Sequence, residues 1–93
     1  MPIVVHIPAY LAGFAGGQRS LKLDSSPATV SEALDALWQM HPALRDRVLD
    51  ERGEVRQHIN VFVGDESIRF VNGLGTAVPD KSEILIVPAV SGG

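Results

Sequence analysis

At 93 residues the chain has room for one domain whose single core buries roughly two thirds of the unfolded surface, and little room for an enclosed active site. Eight Lys and Arg against eleven Asp and Glu give a formal net charge of -3. Nothing therefore draws the chain generally to phosphate backbones or anionic membranes, and neither nucleic acid nor membrane is expected as a partner. The absence of cysteine excludes disulfides, thiolate catalysis and Cys-ligated zinc, so any sulfur that the protein handles cannot sit on a thiol of its own.

The opening MPIVVHIPAYL lacks a basic n-region and a small-residue cleavage site, and no apolar run is long enough to cross a bilayer, so a cytoplasmic location is expected. Within it, Ile3, Val4, Val5, His6 and Ile7 are rich in β-branched residues and stop at Pro8, which predicts a strand with Ile3, Val5 and Ile7 on one face. After Gly13, Gly16 and Gly17, the stretch Arg19 to Leu23 alternates, with Leu21 and Leu23 opposed to Lys22, and predicts the second strand of a hairpin. The intervening AGFAGG has the glycines of a phosphate loop but not the following Lys and Ser/Thr. It reads as a turn in which glycine supplies positive φ.

The clearest helix opens at Thr29, whose hydroxyl suits the cap while Glu32, three residues on, suits the return bond to the cap backbone. Val30, Ala33, Leu34, Leu37 and Trp38 share one stripe, which lays the helix on a sheet, and Pro42 closes it. Leu44, Val48 and Leu49 predict one further short turn of helix. The remainder up to Arg56 reads as a solvated loop, because Arg45, Arg47, Arg52 and Arg56 are matched by Asp46, Asp50, Glu51 and Glu54. A strand Ile59 to Val63 follows, with Ile59, Val61 and Val63 on one face and Asn60 and Phe62 on the other. Gly64-Asp65 turns the chain into a short strand expected around Ile68 to Phe70. Asn72-Gly73 marks another turn, Leu74 and Val78 are apolar anchors in a loop, and Ile84 to Val87 is apolar throughout, as befits a central strand.

Two strands, a helix and three strands make an α+β roll with one helix on a mixed sheet, in which first and last strands lie parallel if adjacent. The domain is expected over residues 1–87, with 88–93 a flexible tail. That tail closes on Ser91-Gly92-Gly93, whose glycines can lie extended in a channel too narrow for side chains, and a free α-carboxylate at Gly93 is a nucleophile towards an activated phosphate. Other candidate sites are weak. His6, His41 and His58 stand apart with no paired-ligand spacing, so no metal is expected. Ser91 has no base nearby, Asp65 and Glu66 suit a turn, and Trp38 reads as core. Nothing here makes the chain an enzyme by itself.

The β-β-α-β-β-β order, the loop GLGTAVPD, the strand ILIVPAV and the terminal SGG together resemble the ubiquitin-like sulfur carriers, the ThiS and MoaD family, over nearly the whole chain. The AGGQ loop and the ending PAVSGG are most similar to the CysO-type branch, which feeds sulfur to cysteine synthesis and related pathways. The resemblance implies a β-grasp fold with a mixed sheet of four to five strands and one main helix. It implies that Gly93 is adenylated by a ubiquitin-activating-like partner, which uses the ATP, and is then converted to a thiocarboxylate that donates sulfide to a biosynthetic enzyme. No bound cofactor is implied. Pro88, Ala89, Val90, Ser91 and Gly92 would thread the partner's tunnel, and an apolar strip on the open sheet face, placed around Ile68, Phe70 and Val87 with Phe62, would dock it. Asp80-Lys81-Ser82 stands where the family often has an Asp-Gly turn, so a different turn geometry is expected there. With Gly93 last, no processing protease is expected to be needed. A small subunit of molybdopterin synthase, a protein modifier joined through Gly93 to lysines, and a β-grasp interaction module with an inert tail remain alternatives on the same residues.

Overall fold

Leu21 and Leu23 point the same way as Ile3 and Val5, and this shared alternation fixes which face of the sheet is buried. In the computed structural model, which describes residues 3–89, β1 (Ile3–His6) pairs antiparallel with β2 (Ser20–Leu23), Ile3 opposite Leu23 and Val5 opposite Leu21. The helix α2 (Val30–Met40) lays Val30, Ala33, Leu34, Leu37 and Trp38 on that face. After α2 come a short α3 (Arg45–Val48), then β3 (Ile59–Val63), β4 (Glu66–Ser67) and β5 (Glu83–Pro88).

The five strands lie in the order β2-β1-β5-β3-β4. Only β1 and β5 run parallel, His6 opposite Leu85, and β5 runs antiparallel to β3, Val61 opposite Ile86. The first and last strands are thus neighbours at the centre, as a β-grasp roll requires. Ile84 and Ile86 point into the core with Ile59 and Val61, while Leu85 and Val87 are half-buried on the face that no helix covers.

The capping expected at α2 is present with one shift. Thr29 Oγ1 accepts from the Glu32 amide at 3.2 Å, but the Glu32 carboxylate accepts from the amide of Ala28, one residue before the cap, at 3.1 Å. The same end is laced to the loop before β5: Val30 donates to the Thr76 carbonyl and Val78 donates to that of Ala28, both at 2.9 Å.

Four expectations are corrected. The β1–β2 connection holds a short helix, α1 (Ala9–Ala12), with Pro8 at its N-cap, which continues into a 3-10 turn over Gly13–Ala15 and buries Leu11, Ala12 and Ala15 against the end of the core. The glycine reading holds at Gly16 and Gly17, with φ of 65° and 85°. The expected strand Ile68 to Phe70 is a 3-10 turn. Gly64 takes φ 60°, Gly64-Asp65 close a two-residue hairpin, and pairing begins at once, Val63 opposite Glu66. The last strand runs to Pro88, one residue past the expected boundary. Lys81, at φ 68°, adopts the left-handed conformation that a glycine would take, so the turn before β5 is kept and the strain falls on a lysine.

Candidate functional site

The candidate site is the end of the sheet at which β5 finishes. Pro88 stands opposite Ile59, and the Ala89 amide donates to the His58 carbonyl at 2.8 Å. Since alternate amides of a strand face opposite sides, the Pro88 nitrogen faces the β1 side, where pairing stops at Leu85. A proline in an otherwise central strand therefore removes no ladder bond. Val90, Ser91, Gly92 and Gly93 lie outside the described residues; Pro88 and Ala89, expected in the tail, are tied to the sheet.

On the open face Leu85 stands between His6 and Phe62, with Val87 two residues on, opposite Asn60. His6 is held on both ring nitrogens: Nδ1 lies 3.0 Å from Ser20 Oγ, and Nε2 meets the Glu83 carboxylate. Of the four residues expected to dock a partner, Phe62 and Val87 share this face. Phe70 lies in the turn after the edge strand and is 89% exposed. Ile68 is corrected: it is 3% exposed and belongs to the core, because the 3-10 turn rolls it inward. Leu85, at the centre of the open face, was missed, although the alternation that buries Ile84 and Ile86 points it outwards.

Arg69 was also missed. Its guanidinium donates to the carbonyls of Arg56 and Gln57 at 3.3 Å and of Ile59 at 2.8 Å, which fixes the strand that holds Ala89. An apolar cleft of about 320 Å³ beside it is lined by Val55, Val61, Ile68 and Leu74. Among the described residues Glu54 is the one other polar side chain that lines it. Asp50 closes the turn between Leu49 and Val55, accepting from the amides of Glu54 at 3.0 Å and Arg52 at 2.9 Å. The Glu54 amide above all holds its carboxyl below the ordinary value. Trp38 is core. Among the described residues no three His, Asp or Glu gather as a metal site, and no helix is long and apolar enough to cross a membrane.

The overall fold is shared with known proteins. The ThiS family pattern matches residues 5–93. The sulfur carrier protein CysO of Mycobacterium tuberculosis is 34% identical over 95 residues, covering 100% of both chains. The small archaeal modifier protein 1 of Haloferax volcanii is 42% identical over 78 residues, 83% of this chain and 85% of that one. Among solved structures, the Amycolatopsis orientalis BexX/CysO complex contains a chain that superposes with a TM-score of 0.85 at 36% identity, covering 98% of this chain and 99% of that one. With its central parallel β1–β5 pair and these full-length relatives, the chain is a ubiquitin-like β-grasp protein and belongs to the ThiS family.

Proposed function

We propose that the protein is a sulfur carrier whose reactive group is the carboxylate of Gly93. A carboxylate oxygen attacks the α-phosphorus of ATP within a ubiquitin-activating-like partner, and pyrophosphate leaves. A sulfide-level nucleophile then attacks the acyl carbon of the mixed anhydride, AMP leaves, and a thiocarboxylate remains. That sulfur is a soft nucleophile which a second, sulfur-accepting enzyme can direct at an electrophile in the biosynthesis of cysteine or a related metabolite. The carrier itself contributes presentation rather than catalysis, and its lack of cysteine is consistent with sulfur held on an acyl group.

The observation that carries this reading is the departure of β5. The central strand is held as far as Ala89 by the His58 carbonyl, so residues 90–93, with their two glycines, are the segment that would enter a partner. The end-to-end alignment with a named sulfur carrier supports it. A protein modifier, joined through Gly93 to lysines, is the second reading, favoured by the identity to the archaeal modifier.

The test is the intact mass of the protein after incubation with an adenylating enzyme from its own genome, ATP and sulfide. A gain equal to exchanging one oxygen for sulfur, mapped to the C-terminal peptide and absent when Gly93 is deleted, is expected. No gain, with heavier lysine-linked conjugates in cells, would replace the carrier reading with the modifier.

A further inference from the structure

The surface around Ala89 has a charge unlike that of the chain as a whole. Beside the Ala89–His58 bond, a shallow pocket is lined by Tyr10, Asp46, Arg47, Arg56 and His58. These residues come from α1, α3 and the segment before β3, far apart in sequence, and they meet because β1 runs parallel to β5 and so brings α1 to the end where the tail leaves. Arg56 is held through Nε by the Asp46 carbonyl at 2.9 Å. The Arg47 guanidinium lies over the Phe14 ring, 4.4 Å from its centroid. Among the lining residues the one carboxylate is Asp46, engaged by Arg45 at 3.1 Å; behind them Asp50 also lies within electrostatic reach of Arg56, which leaves Arg47 as the less compensated cation. Tyr10 is 53% exposed. On a chain of net charge -3, this collar is locally basic.

Reach makes the location matter. Four extended residues beyond Ala89 span at most about 14 Å. If Gly93 is to meet a nucleotide inside a partner, most of that length lies within the channel, and the channel mouth must close on the surface around Ala89. We infer that the collar of Tyr10, Arg47, Arg56 and His58 is the seat for the mouth of the adenylating partner's active site, and that this mouth carries an acidic rim. The inference rests on the carrier reading and adds to it the chemistry of the partner's surface. Both arginines are already oriented, by a carbonyl and by an aromatic ring, so little side-chain freedom is lost on docking. Tyr and Arg are also the residues that anchor interfaces most strongly.

The test is the steady-state rate of pyrophosphate release by the adenylating enzyme of the same genome with the full chain as substrate. The variants are Arg47→Gln, Arg47→Glu and Arg47→Glu/Arg56→Glu, with Lys81→Glu as a control at the opposite end of β5, each checked for folding by its thermal melt. Arg47→Glu should raise KM about tenfold with kcat nearly unchanged, Arg47→Gln less, and Lys81→Glu hardly at all. Wild-type KM should rise with salt, and that dependence should flatten in the double variant. An Arg47→Glu KM equal to wild type, or an equal rise in Lys81→Glu, would overturn the collar while the carrier reading stands. Should wild type give no pyrophosphate release, or release that survives deletion of Gly93, the carrier reading falls and the collar with it.

Discussion

The amide of Ala89 donates to the carbonyl of His58 at 2.8 Å, one residue beyond the proline that ends β5. Among the described residues this is the last bond of the β5 end to its neighbour. Ala89→Pro removes the donor and is expected to lower stability by about 1 kcal/mol, the usual net worth of such a bond. A lower urea midpoint with an unchanged slope is the expected readout, since no other surface is exposed.

At the start of α2, Thr29 and Glu32 satisfy amides that would otherwise have no acceptor. Thr29→Ala should cost about 1 kcal/mol. Thr29→Ser keeps the acceptor and should come within a few tenths of wild type in the same denaturation experiment, which separates capping from lost methyl packing.

Lys81 at φ 68° bears the strain of the turn into β5. Lys81→Gly should raise stability by up to about 1 kcal/mol, and Lys81→Ile should lower it by a similar amount, because a β-branched side chain fits the left-handed region worst. Equal melting temperatures for the three proteins would show that the backbone relaxes there at no cost.

Asp50 gives the fold a pH dependence of known sign. Its carboxyl is held below the ordinary aspartate value, first by the Glu54 amide. A folded pKa below the unfolded one means stability that is complete above the unfolded pKa and lost as pH falls through the folded one. Asp50→Asn should therefore be less stable than wild type near neutrality, and the difference should shrink in denaturant midpoints taken below pH about 4.

Ile68 and Phe70, two residues apart, should respond oppositely to truncation. Ile68→Ala empties a core position and should cost about 2–4 kcal/mol. Phe70→Ala, at an exposed position, should change stability by less than about 0.5 kcal/mol, so any effect on partner binding can be read directly.

What the sequence disclosed follows from how local each signal is. The strand Ile59–Val63 is bounded by its own alternation and by Gly64, and α2 by its cap and apolar stripe; both could be read within a dozen residues. The helix α1 is four residues long and cannot display a helical period. Ile68 and Phe70 at a spacing of two imitate a strand, and only the tight hairpin at Gly64-Asp65, which starts the pairing early, turns that segment into a 3-10 turn with Ile68 inside. Arg69 binds backbone carbonyls, which leave no mark on residue identity. The arginines of the 45–56 segment read as solvated because their carboxylates stand beside them in sequence, whereas the fold sets Arg47 and Arg56 beside Tyr10 and His58.

The parallel pairing of β1 with β5 joins residues 4–6 to 83–85, so the strand that carries the tail can take its place only when nearly the whole chain is available. Such long-range closure is slow and comes with the rest of the core rather than before it. A nascent or partly unfolded molecule has the same Gly92 and Gly93 but lacks the sheet that holds Ala89. Under the proposed function the fold would act as its own inspection step, since only a finished molecule holds Ala89 against the His58 carbonyl.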